Sequence, residues 1–343
     1  MLEIPNPLPH IRLCDVIEKQ WPALSTHVAQ SKLSLSTPVP GPTLGRALTT
    51  RVAPGRTRST RITLRTRGKF VLTADVASCY RSIYTHSIPW ALRSKAWAKV
   101  NRKDTDWENL LDTVVRHERN NQTNGIPIGP DTSLLVAEVV LTAADKAFAA
   151  QRIRCKGFRF VDDFELVCES RSQAEDALVA LQRALKEIEL DLNPTKCSID
   201  ELPAAVERTA WSNTLRLWPF ENKTKSKLAT ELIGYFDTAF RLAKANKGQP
   251  VLRYAIPRLN SDDIDIDRSN WTLYQDLLLQ CAVAEPGSLF EVLRQFFRCQ
   301  TKGFKIRQGV TSDVLNHHIA FHAPLMNASE VAWALFGLIA LGS

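Results

Sequence analysis

Short blocks of apolar and polar residues follow one another along the first part of the chain, and their spacing predicts a mixed fold. Lys69-Phe70-Val71-Leu72-Thr73-Ala74-Asp75 is a mostly apolar run that ends on a carboxylate, the pattern of a buried strand. Leu110, Leu111, Val114 and Val115 fall at helical spacing and give way to a polar stretch from Arg116 to Asn124. Gly125-Ile126-Pro127-Ile128-Gly129-Pro130 reads as a rigid turn, and Leu134 to Phe148 as a helix that is apolar on most sides. Phe158 to Val167 reads as two short strands folded back through Asp162-Asp163. Ser172-Gln173-Ala174-Glu175 has capping-box spacing at the head of a helix whose apolar stripe is Leu178, Leu181, Leu185 and Ile188. Leu190 to Asn193 and Lys196 to Ile199 then return to extended chain. Strand, helix, hairpin, helix, strand is the order of a ferredoxin-like split βαβ layout, here with acidic residues at strand ends.

Outside that core the pattern changes. Arg61-Ile62-Thr63-Leu64-Arg65 alternates and predicts an exposed strand, while the Pro- and Gly-rich passage from Ser36 to Thr43 reads as an irregular loop. Beyond about residue 225 the spacing is helical almost throughout. Trp271, Tyr274, Leu277, Leu278 and Cys281 form one stripe, Leu289, Phe290, Leu293, Phe296 and Phe297 a second, and Val331, Leu335, Leu338 and Ile339 a third. The expected class is α+β, with a sheet-containing part followed by a helical, repeat-like one.

Charge sharpens this picture once it is located. The chain of 343 residues carries a net charge of +8, and between Glu18 and Asp75 there is not one acidic residue. Lys19, Lys32, Arg46, Arg51, Arg56, Arg58, Arg61, Arg65, Arg67 and Lys69 fill that interval, and such a one-sign block points to a polyanionic partner. The seven cysteines are scattered without a Cys-x-x-Cys pair, which argues against a disulfide framework or a zinc finger and for a reducing compartment. No apolar run approaches the roughly 20 residues of a membrane span, and the first residues lack a secretion signal's pattern. A cytoplasmic protein that does not engage a membrane is the expectation. His318 and His322 have the i, i+4 spacing of a metal pair, but no Glu or cysteine cluster accompanies them, and a solvated or capping role is expected.

The candidate chemistry lies in carboxylates. Phe160-Val161-Asp162-Asp163-Phe164 places two acids in succession between apolar residues, where like charges raise one another's pKa unless something positive compensates. Asn-Gly or Asp-Gly would suit a purely structural hairpin turn better. Divalent cations remove the oddity. If Asp75 approaches the turn, three carboxylates can hold two Mg²⁺ (or Mn²⁺) ions about 3.5–4 Å apart, the separation used in phosphoryl transfer. A pair of solvated turn aspartates is the alternative.

Four segments in succession resemble the motifs of reverse transcriptases: Asp75-x-x-x-x-Tyr80, Gly125 to Ser133, Phe160-Val161-Asp162-Asp163, and Leu192-Asn193-Pro194-Thr195-Lys196. The resemblance spans roughly residues 45–200. Within the family, Ser82 to Leu92, Gln122-Thr123-Asn124 and Glu231 to Asp237 are similar to segments of bacterial abortive-infection and defence-associated reverse transcriptases. Retron and group II intron enzymes fit less well.

That resemblance implies a right-hand polymerase. Residues 1–69 would form a basic fingers segment, 70–200 a palm with inserted fingers helices at about 93–125, 201–260 a thumb or connector, and 261–343 a C-terminal helical domain. Asp75, Asp162 and Asp163 would hold the metals, and Lys196 would protonate the leaving pyrophosphate. Tyr80 would be the steric gate against a ribose 2′-OH, and Gly125, Pro127, Gly129 and Ser133, with Arg61 and Arg65, would contact substrate. Phe160 stands where many relatives have tyrosine, which removes a hydroxyl from the primer side. The implied partners are dNTPs, a nucleic acid (the DNA product and, in some relatives, a noncoding RNA), and sister or companion subunits. The abortive-infection group further implies untemplated synthesis from a protein hydroxyl, with Tyr84, Tyr254 and Tyr274 as candidate primers. A conventional RNA-templated enzyme, and a catalytically silent nucleic-acid-binding or assembly subunit, are the competing readings.

Overall fold

The computed structural model describes the chain apart from residues 1, 43, 44, 54, 208, 221–224, 262, 263, 265 and 343, and only the backbone of 225, 226 and 261. It divides into two compact units, Glu3–Val206 and a second that begins at Glu207, each with its own hydrophobic core.

The first unit contains, in chain order, α1 (Pro7–Val28), β1 (Pro38–Pro40), β2 (Leu48–Thr50), α2 (Arg56–Arg65), β3 (Phe70–Asp75), α3 (Cys79–Ser82), α4 (Ser87–Leu92), α5 (Lys95–Val100), α6 (Trp107–His117), α7 (Asp131–Ala150), β4 (Lys156–Phe160), β5 (Asp163–Cys168), α8 (Arg171–Lys186) and β6 (Ser198–Glu201). Four strands form one antiparallel sheet in the order β4-β5-β3-β6. The expected strand, helix, hairpin, helix, strand order is thus observed, with β3 and β5 central. Alternation decides the faces: Phe164, Leu166 and Cys168 of β5, with Leu72 and Ala74 of β3, share a buried cluster with Leu135, Val139 and Ala144 of α7 and Ala177 and Leu181 of α8. Side chains of opposite parity on β5 point the other way, so Glu165 meets α2.

Three expectations for this unit are corrected. Arg61 to Arg65 is helical within α2, not a strand. The reason is electrostatic: at i and i+4 both guanidinium groups fall on one helix face and reach the buried Glu165, Arg61 Nε at 2.6 Å and Arg65 Nε at 3.1 Å. The capping box belongs to Ser170 and Gln173, two residues earlier than the Ser172 spacing suggested, because Ser170 Oγ accepts from Gln173 N–H while the Gln173 side chain returns to the Ser170 backbone. The Ser36-to-Thr43 passage holds a strand, β1, paired antiparallel with β2 as a separate ribbon that tolerates its prolines at an edge. Thr43 itself lies outside the described residues.

The second unit is helical: α9 (Ala210–Arg216), α10 (Lys225–Ala245), α11 (Val251–Ser261), α12 (Arg268–Ala284), α13 (Leu289–Thr301), α14 (Gln308–His322) and α15 (Ala328–Leu341). One core runs from Trp211 to Leu341, and the division between the two units falls at Val206/Glu207. The first two stripes face this core through Trp271, Tyr274, Leu278, Leu289, Leu293 and Phe296. The third does not. On α15 the buried line is Glu330, Ala334, Gly337 and Leu341, while Leu335 is exposed and Ile339 is 80% exposed. Close packing explains the inversion, since a Cβ at Gly337 would come within 3.0 Å of both Leu293 Cδ2 and Leu315 Cδ1. Small residues admit the neighbouring helices, and the larger ones are left outside. Among the described residues, no helix is long and apolar enough to cross a membrane.

Candidate active site at the end of the sheet

The β4–β5 connection is a two-residue turn. Phe160 and Asp163 are cross-strand partners, leaving Val161 and Asp162 between them. Val161 has φ +55°, and Asp162 has no positive φ. A positive φ at only the first central residue is the pattern of a II′ turn, where glycine is preferred and a β-branched side chain is strained. The turn delivers both acids to the end of β3. Asp75 and Asp163 are direct partners in the β3–β5 register, and the Val76 N–H donates to the Asp162 carbonyl at 3.2 Å. Directly opposed residues project to the same face with Cβ atoms roughly 4.5–5.5 Å apart. Sequence-distant Asp75, Asp162 and Asp163 therefore share one end of the sheet.

Electrostatics there is unbalanced. Burial first, and then the charges of Asp163 and Asp75, raise the Asp162 pKa to about 6. The cation that answers them is Lys196, whose Nζ donates to Asp75 Oδ1 at 3.2 Å. That hydrogen bond, followed by the charges of Asp75, Asp162 and Asp163, raises the Lys196 pKa. A short 3₁₀ turn, Pro194–Lys196, presents the lysine, and Asn193 anchors it by donating its own N–H to the Asp75 carbonyl at 2.7 Å. Asn193 was not singled out from the sequence, although it opens the segment that contains Lys196.

Tyr80 lies on α3, just beyond β3, half-buried against the core, and burial pushes its phenol pKa up. Its carbonyl accepts from Ile126 N–H at 2.7 Å, and the Ile83 carbonyl accepts from Gly125 N–H at 2.8 Å. The glycine-proline turn is thereby fastened to the segment that follows Asp75. Gly125 has φ +84°, and a Cβ there would come within 3.0 Å of the Arg81 carbonyl, so glycine is required. Gly129 also has a positive φ, and Pro127 and Pro130 stiffen the approach to α7. At the start of α7 the hydroxyls of Thr132 and Ser133 are buried and, among the described residues, have no hydrogen-bond partner. Arg46 forms a close ion pair with Asp131 of the same turn.

Not every expected residue joins this cluster. Arg61 and Arg65 are engaged by Glu165 and by the carbonyls of Val206, Ala204 and Ala205, so their donors are directed to protein rather than to an open basic face. Tyr84 forms a bridge with Asn124 and borders an open cavity of about 450 Å³ together with Arg81, Ser82 and Glu189. Tyr254 belongs to the second unit and packs edge-on against Trp211. Tyr274 is 1% exposed inside the core of that unit, which withdraws its hydroxyl from the candidate primers. His318 is buried and its pKa is lowered by burial and by the neighbouring His322 and His317, so it is a core residue rather than the solvated or capping one expected.

The donor chemistry fits divalent cations. Asp75, Asp162 and Asp163 bring hard oxygen donors to one end of the sheet, where burial and the neighbouring carboxylate charges raise the Asp162 pKa. Among the described residues, however, no three His, Cys, Asp or Glu side chains are already closed to metal-ligand spacing. Lys196 occupies Asp75 instead.

Among known proteins, no curated sequence matches this chain. Among solved structures it is similar to telomerase from Candida albicans in complex with a fragment of telomeric RNA, with TM-score 0.33 and 10% identity, over 67% of this chain and 51% of that one. The chain thus spans about half the length of that structure. The family model for reverse transcriptase (RNA-dependent DNA polymerase) matches residues 12–217, wider on both sides than the four motifs, and the chain belongs to that family.

Proposed function

We propose that this chain is a DNA polymerase of the reverse-transcriptase type that adds dNTPs with two divalent ions, Mg²⁺ or Mn²⁺, held by Asp75, Asp162 and Asp163. The observation that carries the proposal is the meeting of three carboxylates at one end of a sheet, with Asp75 opposite Asp163 and Lys196 on Asp75. Bound there, the ions supply Lewis acidity to the attacking 3′ hydroxyl and the departing pyrophosphate. The chain's own groups do the rest. The Tyr80 ring, held by the Gly125 turn, excludes a ribose 2′-OH. Lys196, kept protonated by its carboxylate neighbours, gives its proton to a pyrophosphate oxygen as the P–O bond breaks. Gly125, Pro127, Gly129 and Ser133 shape the substrate side of the turn, and Arg46 brings positive charge to it.

In this reading the sheet and its helices are the palm, the basic elements before β3 and the helices before the Gly125 turn are fingers, and the second unit supplies thumb and C-terminal helices. Similarity of the Ser82 to Leu92 segment to abortive-infection enzymes supports a role in bacterial defence against phage, as a homo-oligomer or with a companion subunit. Synthesis would be untemplated and started from a protein hydroxyl, for which Tyr84, beside an open cavity, is the better placed candidate. Incubating purified protein with labelled dNTPs and Mg²⁺ or Mn²⁺, then treating the product with nuclease and protease, tests this reading. Protease-sensitive attachment and a homopolymer or random tract support it; a defined complementary sequence supports an RNA-templated enzyme; no incorporation supports a silent nucleic-acid-binding subunit.

A further inference from the structure

Behind the carboxylate bend lies a second set of charges that the proposed chemistry does not use. Arg159, the residue of β4 two before the strained Val161, is fully buried. Its Nη1 and Nη2 donate to Glu138 Oε1 and Oε2 at 2.8 and 3.0 Å, and its Nε and Nη2 donate to Asp145, Nη2 at 2.7 Å. Both carboxylates come from α7, about two turns apart. Burial alone would lower the arginine's pKa, but the charges of Asp145 and Glu138 more than offset it. Three serines from the segment after α1 complete the carboxylates' hydrogen bonding: Ser31 on Asp145, and Ser34 and Ser36 on Glu138. All of this is consistent with a structural network, except for two further bonds. Arg159 Nη1 donates to the Val161 carbonyl at 2.8 Å, and Ser36 Oγ accepts from the Val161 N–H at 2.7 Å.

Both ends of Val161 are therefore gripped from below the sheet, at the residue whose φ of +55° a valine resists. An unclamped valine relaxes toward negative φ, and the next side chain, Asp162, turns with it. We infer that Ser36 and Arg159, braced by Glu138, are positioning residues: they hold the Val161 peptide in its strained conformation so that Asp162 faces Asp75 and Asp163. The inference rests on the metal-binding reading of those aspartates, and it assigns a role to residues without contact to substrate, of which Ser36 and Glu138 lie far from Asp162 in sequence.

Ser34 and Ser36 provide an internal control, since both donate to Glu138 but only Ser36 touches Val161. The test is Mn²⁺ affinity by titration on the full-length protein, with amide exchange at Val161 measured on the metal-free form. Ser36→Ala is expected to weaken Mn²⁺ binding by about tenfold, in the range typical of groups that orient metal ligands. Its kcat should fall in parallel, with the dNTP KM within about twofold. Exchange at the Val161 amide should quicken by about tenfold, since its acceptor is lost. Ser34→Ala should leave affinity and exchange near wild type. Glycine adopts a positive φ without cost, so Val161→Gly added to Ser36→Ala should recover most of the lost affinity, which a purely structural role for Ser36 would not allow. Unchanged Mn²⁺ affinity or Val161 exchange in Ser36→Ala, an equal loss in Ser34→Ala, or no recovery with Val161→Gly would each overturn the inference. Wild-type protein that binds no Mn²⁺ would instead overturn the functional reading, and the positioning role with it, a result distinct from any difference among the variants.

Discussion

Two groups of carboxylates in the same unit have opposite electrostatic fates. Glu138 and Asp145 are deeply buried, yet each is answered by the Arg159 guanidinium and by serine hydroxyls. Asp75, Asp162 and Asp163 are brought to one end of the sheet by the strand register and the turn, and Lys196, largely exposed, is the cation the described contacts give them. A buried acid is tolerable when its charge and lone pairs are met. The first group meets that condition within the chain; at the second, burial and the neighbouring charges of Asp163 and Asp75 hold the Asp162 pKa up at about 6. On the proposed reading, structure-bearing and chemistry-bearing carboxylates differ in what compensates them rather than in how buried they are.

Loss of the under-compensated group should be the more costly for activity, and loss of the compensated one for stability. Asp162→Ala is expected to reduce dNTP incorporation by about a thousandfold or more, measured with Mg²⁺ and with Mn²⁺; residual activity within tenfold of wild type contradicts the metal assignment. Glu138→Ala leaves Arg159 Nη1 and the Ser34 and Ser36 hydroxyls facing a cavity, with Asp145 as the remaining carboxylate partner, and should cost about 3 kcal/mol in chemical denaturation. Tyr80→Ala should admit ribonucleotides, narrowing the preference for dNTP over NTP by about tenfold or more in single-nucleotide competition; an unchanged ratio removes the gate.

A subtler effect separates the two groups by pH. The folded-state pKa of Asp162, about 6, lies above its ordinary value. The native protein therefore holds this proton more tightly than the unfolded chain, and stability contributed by the group declines as pH rises from about 4 to about 6. Asp162→Asn removes that loss and should stabilise the metal-free protein at pH 7 by about 1–2 kcal/mol, discounted for partial exposure, with the gain vanishing near pH 4. Mg²⁺ should reverse the order by stabilising only the wild type. Thermal melts at both pH values, with and without Mg²⁺, read this directly.

Much of the site was legible because its chemistry is written in short segments. Two adjacent acids between apolar residues are unusual, a strand ending in Asp75 is simple alternation, and the sheet order follows from the order of its elements. What was not legible depends on partners distant in sequence. Arg61 to Arg65 alternates like a strand, and only Glu165, about a hundred residues on, reveals why it is a helix. The α15 stripe has acceptable helical spacing, yet Gly337 and Ala334 decide the packed face because they let Leu293 and Leu315 approach. Tyr274 is an ordinary tyrosine by sequence, and its burial follows from the assembly of the second unit's core. Arg159 was the one signal open to reading in advance: a lone cation between Phe158 and Phe160 in an apolar strand must find buried acids.

The most direct test is the number of Mn²⁺ ions bound per chain in the presence of a non-reactive dNTP analogue. Two ions on the wild type, falling to one or none in Asp75→Asn and Asp162→Asn, is the expected result. A wild type that binds none, or variants that bind as it does, would contradict the assignment of Asp75, Asp162 and Asp163 as a two-ion site.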